Sequence, residues 1–176
     1  KNTMIIGGGK ISFYLAKRLL EMGIQVKIIE KDRDACERLC EKLPKAMIIN
    51  GDGTDRELLA EEGLAKAEGF AALTNMDEEN VMLALYAKSM SKAKKITKVN
   101  RNTFDTIIGS LNIGSLIYPK HITSETILQY VRAMQNSIGS NVETLYRLVD
   151  GNAEALEFVI KGKSEVTDIP LQELQL

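Results

Sequence analysis

Apolar residues in the first two thirds of the chain fall into short continuous runs separated by stretches of helical periodicity. Met4-Ile5-Ile6 stops at Gly7-Gly8-Gly9, after which Ile11, Leu15 and Leu19 share one helical face and Lys17, Arg18 and Glu21 the other. This predicts a strand, a tight turn and a helix over 10–22 closed by Gly23. A second strand, 25–30, ends in Glu30; Asp32 then caps a helix carrying Ala35, Cys36, Leu39 and Leu43 and stopped by Pro44. A third strand, 46–50, runs into Gly51-Asp52-Gly53-Thr54, where Thr54 or Asp55 caps a helix that closes at Gly63. Strand 69–73 leads to Thr74-Asn75-Met76-Asp77, with Asp77 placed to cap a helix over 78–89 whose apolar face is Val81, Met82, Leu85 and Tyr86. Met82 and Met90 read as core filler. Strand 95–100, a helix over 103–111 presenting Phe104, Ile107, Ile108 and Leu111, and strand 115–118 complete the alternation.

Six strands alternating with helices indicate an α/β fold: a doubly wound, Rossmann-like parallel sheet with helices on both faces. Right-handed crossovers give the strand order 3-2-1-4-5-6. Beyond Pro119 the pattern changes. A long amphipathic helix over 123–134 carries Ile127, Leu128, Tyr130, Val131 and Met134, and either packs on the same sheet or leaves it as a crossover element toward a partner. Ser137-Ile138-Gly139-Ser140-Asn141 reads as a linker, and the β-rich runs 142–149 and 153–160 as a hairpin or the strands of a smaller unit. The expected organisation is a nucleotide-binding domain over 1–120, a crossover helix and linker over 121–139, and the beginning of a small β-containing domain over 140–176. Lys1-Asn2-Thr3 enters the first strand without an initiator methionine, as in a piece of a longer protein.

Composition adds bounds rather than a class. The chain is 44% hydrophobic and 27% charged, with a net charge of −1, which is ordinary globular usage and supplies no general attraction to nucleic acid or anionic lipid. No run approaches the roughly 20 apolar residues of a membrane span, and no secretory signal is evident. Cys36 and Cys40, four apart on a predicted helix, suit neither a disulfide nor a closed zinc site and read as reduced packing residues.

The chemistry lies in the loops that follow the strands. Gly7 and Gly9 occupy the first two places of a G-x-G-x-x-G turn, with Ser12 at the third. Glycines let backbone approach a phosphate, and the helix that follows offers free N–H groups and a positive dipole end. Glu30 stands near the offset of about 20 residues at which an acid accepts ribose hydroxyls, favouring NAD or a simple adenine nucleotide over a 2′-phosphorylated one. Lys31 and Arg33 soften that preference. Asp52, after strand three, belongs at the adenine end, unless it only bonds its own turn. Thr74 and Asn75 end strand four where a dinucleotide passes, and Lys98 and Arg101 are basic residues within reach of phosphates or simply solvated.

With both glycine turns, the acid after strand two, and Thr74-Asn75 followed by Asp77-Glu78-Glu79-Asn80 in view, the chain resembles the RCK, or KTN (TrkA-N), domain family of potassium-transport regulators. The likeness covers Thr3 to about Gln135, and from Ser140 the chain resembles the opening of the attached small C-terminal domain. The resemblance implies a cytoplasmic regulator, peripheral at the inner face of the membrane. It would bind NAD(H) or, alternatively, ATP or ADP, assemble as a homo-oligomer (dimer or tetramer), and control a potassium-translocating membrane protein. By position in the family pattern, Gly7, Gly8, Gly9, Lys10 and Ile11 form the phosphate turn and Glu30 the ribose acid. Asp52 and Gly53 lie beside adenine, Thr74 and Asn75 at the strand-four contact, and Lys98 at the basic position after strand five. Ser12 departs from the usual glycine, and Lys98 from a frequent arginine.

The alternative is an NAD-dependent oxidoreductase. It would need a substrate domain and an acid–base residue, whereas the single histidine, His121, stands outside any evident constellation. A nucleic-acid-binding repressor would need a basic helix-turn-helix segment, which the sequence lacks.

Overall fold

The computed structural model describes residues 1–101, 105–136, 142–148, 153–158, 162–163, 167–170 and 172. They fall into two compact units, Lys1–Lys120 and His121–Leu176.

The first unit runs β1 (Asn2–Ile6), α1 (Lys10–Glu21), β2 (Gln25–Glu30), α2 (Arg33–Lys42), β3 (Met47–Asn50), α3 (Arg56–Glu61), β4 (Gly69–Ala72), α4 (Asp77–Met90), β5 (Lys94–Lys98), α5 (Asp105–Ser110) and β6 (Ser115–Ile117). Its strands form one six-stranded sheet in the order β3-β2-β1-β4-β5-β6, with every pairing parallel. This is the expected Rossmann-like order. The register sets Ile5 of β1 opposite Ile28 of β2 and Ala71 of β4. Because side chains alternate across a strand, those three face one side and join Ala16, Leu39 and Leu43. Met4, Ile6, Ile29, Phe70 and Ala72 face the other side and join Leu59, Leu83 and Ala87. The apolar runs of the central strands are thus buried on both faces, as a sheet covered by helices on each side requires.

Much of the apolar line that the periodicity selects packs half-buried against the core, Leu15 and Leu19 in α1 and Val81, Leu85 and Tyr86 in α4, but other residues are buried more deeply. In α1 the buried positions are Ser12 and Ala16, and Ile11 is exposed. In α4 they are Asn80, Leu83, Ala84 and Ala87, whereas Met82, expected in the core, is 63% exposed, and Met90 is exposed as well. Small residues let these helices lie close to the sheet, which turns the larger apolar side chains toward the flanks. In α2, Cys36 packs inside as expected, but Cys40 is exposed.

Two capping expectations also meet the structure. Asp55, not Thr54, caps α3, accepting the N–H groups of Glu57 at 2.9 Å and Leu58 at 3.3 Å. Asp77 does not cap α4: Met76 holds the cap position, and the Asp77 carboxylate accepts the N–H groups of Asn100 at 2.9 Å and Arg101 at 3.0 Å beyond β5. Expected helix residues Thr103 and Phe104 lie outside the described residues.

The helix after β6, α6 (Pro119–Asn136), starts at Pro119 rather than Thr123, since proline is suited to the first helical turn. Ile122, Ile127, Leu128, Tyr130 and Val131 are exposed on it. In the second unit β7 (Val142–Leu148) and β8 (Ala153–Phe158) pair antiparallel, with Tyr146 opposite Ala155. The expected linker, 137–141, and the turn at 149–152 lie outside the described residues. Among the described residues no helix is long and apolar enough to cross a membrane.

Candidate functional site

The loops after β1, β2, β3 and β4 meet at the carboxyl edge of the sheet around a cleft of about 330 Å³. Gly7, Gly8, Gly9, Glu30, Lys31, Asp52, Gly53, Thr74, Asn75, Met76 and Glu79 line it, over a floor of Ile6, Ile29 and Leu73. Strand order explains the position. β1 and β4 are neighbours whose following helices lie on opposite faces, so their loops diverge and leave a crevice between them.

Each glycine of the first turn has a separate task. Gly7 adopts φ +95°, which disfavours any side chain, and a Cβ there would stand 3.0 Å from the Thr74 nitrogen. Its N–H continues the β1–β2 ladder to the Ile29 carbonyl at 2.9 Å. At Gly8 a Cβ would press on Leu39 and Glu30. Gly9 is in ordinary extended backbone, caps α1, and has nothing within 4 Å of where a Cβ would sit. The Gly7 and Gly8 amides are used within the protein, while those of Gly9, Lys10 and Ile11 make no described hydrogen bond. The first N–H groups of a helix have no intrahelical partner, so these three are available to donate to an anion. Lys10 and Ile11 follow Gly9 into α1, are exposed, and are not among the residues that line the cleft. Gly53 brings the second glycine turn against the first, because a Cβ there would collide with the Ile6 side chain.

The Glu30 carboxylate accepts the N–H of Gly8 at 2.5 Å and that of Asp32 at 2.8 Å, one on each oxygen. Each oxygen keeps a lone-pair direction for a further donor, such as a ribose hydroxyl. The backbone beneath is braced by Asn50, the residue paired with Glu30 in the β2–β3 register. The Asn50 amide donates to the carbonyls of Glu30 and Lys31, both at 3.1 Å. The Cys36 thiol donates to the Glu30 carbonyl at 3.3 Å; burial, more than any other influence, pushes that thiol above its ordinary range and keeps it protonated. The sequence reading passed over Asn50, although its place at the end of β3 beside the acid was a usable signal.

Asp52 belongs both to the cleft wall and to its own turn. It lines the cleft, and its carboxylate also closes its own turn by accepting the Thr54 N–H at 2.8 Å and the Thr54 hydroxyl at 2.7 Å. Those bonds, the backbone one foremost, hold its pKa below the usual carboxylate range.

On the far side of β1, Thr74 and Asn75 line the cleft as expected, but a residue the sequence reading did not single out holds them. Asn80 is fully buried. Its oxygen accepts from the Thr74 N–H at 2.9 Å and hydroxyl at 2.8 Å, and its amide donates to the carbonyls of Thr74 at 3.1 Å and Lys98 at 3.0 Å. Lys98 departs from its expected place. It is 6% exposed, does not line the cleft, and directs its ammonium to the Asn75 oxygen at 3.3 Å. Burial lowers its pKa, and the nearby Asp77 carboxylate opposes the shift. Arg101 is exposed. Glu79, legible in the sequence only as part of the run after Asn75, sits in the first turn of α4 and adds a carboxylate to the wall.

The open approach at Gly9, the three unpaired amides and the braced Glu30 fit a nucleotide whose phosphate meets the α1 terminus and whose ribose meets the acid. Among the described residues no cluster of His, Cys, Asp and Glu is arranged to hold a metal ion.

Comparison with known proteins places this architecture. The TrkA-N domain family is matched over residues 3–119. The chain belongs to the TrkA-N family. Among curated relatives, the Trk system potassium uptake protein TrkA of Haemophilus influenzae is 36% identical over 169 residues, 96% of this chain and 35% of that protein. The TrkA of Vibrio alginolyticus is also 36% identical, over the same shares. The chain thus spans about a third of the length of the curated relatives it matches. The TrkA-N fold recurs in solved structures. The TrkA-N domain of the inner membrane protein ybaL from Escherichia coli superposes with a TM-score of 0.65 at 17% identity, covering 73% of this chain and 95% of that one. The GsuK channel bound to NAD gives 0.60 at 19% identity, over 85% of this chain and 25% of the other. The Kef CTD of Shewanella denitrificans, in an AMP-bound form, gives 0.62 at 16% identity, over 78% and 84%.

Proposed function

We propose that this TrkA-N chain is a nucleotide-sensing regulatory domain of a potassium-transport system. It binds NAD(H), or alternatively ATP or ADP, in the cleft at the carboxyl edge of its sheet. The observation that carries the reading is the junction of Glu30 with the glycine turn, an acid for ribose and free helix-end amides for phosphate set side by side. The Trk relatives support the potassium context, and the NAD and AMP forms of the structural neighbours support a nucleotide rather than another anion.

In this reading the domain acts by binding, without catalysis. A ligand that contacts two arrangements of paired domains unequally shifts their populations, and a potassium-translocating membrane protein with its own preference senses the change. The chain works as a homo-oligomer, a dimer or tetramer, at the cytoplasmic face of the membrane. Residues 121–139 join the nucleotide-binding domain to a small C-terminal domain that opens at 140–176. Parallel calorimetric titrations with NAD+, NADH, ATP and ADP test the reading. Saturable binding of at least one, weakened by substitution of Glu30, is expected; no binding of any of the four overturns it.

A further inference from the structure

The two walls of the cleft are built differently. On the β2 and β3 side, the half-buried Glu30 and the exposed Asp52 are acids fixed by loop amides. On the β4 side, the polar groups of Thr74 and Asn75 are oriented from behind by two buried residues. Asn80 grips Thr74 by its N–H, hydroxyl and carbonyl at once and ties it to the Lys98 carbonyl. Lys98 returns along the same line to hold the Asn75 oxygen at 3.3 Å.

Neither Asn80 nor Lys98 lines the cleft. Their bonds instead decide which way the Thr74 and Asn75 groups point: with its oxygen taken by Lys98, Asn75 can turn its amide N–H groups elsewhere. In a doubly wound sheet the adenosine of a dinucleotide lies over the loops after β1 to β3, and its second nucleoside crosses to the loop after β4. A mononucleotide uses only the first half. We infer that Asn80 and Lys98 are positioning residues for the second nucleoside of a dinucleotide, and that they set the preference for a dinucleotide over a mononucleotide. The inference rests on the nucleotide reading above and assigns Lys98 a role other than phosphate contact.

The test is calorimetric titration of the chain and of its Asn80→Leu and Lys98→Met variants with NAD+ and, separately, AMP, alongside thermal unfolding. The unsubstituted chain should bind NAD+ more tightly than AMP. Each variant should lose about tenfold in NAD+ affinity, the scale of one charge-assisted or buried hydrogen bond, and keep AMP affinity within about twofold. A merely structural role would weaken both ligands in parallel. Parallel losses, unchanged NAD+ affinity, or NAD+ no tighter than AMP in the unsubstituted chain overturn the inference and leave the nucleotide reading standing. Failure of the unsubstituted chain to bind NAD+ and AMP overturns the inference, and failure with NADH, ATP and ADP as well overturns the nucleotide reading. Should Asn80→Leu not fold, Lys98→Met decides alone, since it retains the aliphatic stem and removes a buried charge.

Discussion

Glu30 and Gly8 are joined by a 2.5 Å hydrogen bond from backbone amide to carboxylate, so the loop after β2 and the turn after β1 hold one another in place. The acid proposed to meet the ribose is therefore also a strut of the glycine turn. Glu30→Gln should weaken NAD+ binding by about tenfold and lower stability by about 1 kcal/mol, because an amide presents one oxygen where two N–H groups need acceptors. Calorimetry and urea unfolding check the two effects; unchanged affinity would count against the ribose assignment.

Gly7 and Gly9 should separate folding from binding. Gly7→Ala places a side chain at φ +95° against the Leu73 and Thr74 backbone and should cost about 1–3 kcal/mol of stability. Gly9→Ala meets nothing within the protein and has ordinary backbone angles, so its melting temperature should hold while its methyl obstructs the phosphate approach. Loss of stability in Gly9→Ala, with binding intact, would contradict this division.

Lys98 predicts a pH dependence of definite sign. Burial depresses its folded-state pKa, so the charged form is disfavoured in the native protein. Below the folded pKa both states bind the proton and the full penalty is present. As pH rises from the folded toward the unfolded pKa, near 10, the native state releases its proton first and stability increases. Lys98→Met should therefore be more stable than the unsubstituted chain at neutral pH, by a margin that shrinks in alkaline solution. Urea unfolding across that range measures it.

The exposed apolar residues of α6, Ile122, Ile127, Leu128, Tyr130 and Val131, predict concentration-dependent association. Sedimentation equilibrium should give a dimer or larger species, and Ile127→Asp should shift it toward monomer. A chain that stays monomeric at high concentration would oppose the proposed assembly.

The sheet was legible because β1, β2 and β4 are buried on both faces and leave continuous apolar runs in the sequence. The glycine turns were legible because turn geometry demands a particular residue type at a particular place, and Glu30 because an acid that closes an apolar run stands out. What escaped was set by long-range packing. Which helical line faces the sheet depends on how closely the helix approaches, and Ser12, Ala16, Ala84 and Ala87 win over larger residues by being small. Asp77 looked like a cap because local bonding competes for such residues, yet the tail of β5 takes its carboxylate. Asn80 looked like one more polar residue on a helix. Its weight comes from Thr74 and Lys98, six and eighteen positions away, meeting on one buried amide.

The close approach of Gly7 to Thr74 has a mechanical consequence. A methyl group at Gly7 would stand 3.0–3.1 Å from the Leu73 and Thr74 backbone, so the two loops lie close against one another at the base of the cleft. The groups left to answer an occupant stand at the rims, Lys31 in the loop before α2 and Glu79 in the first turn of α4.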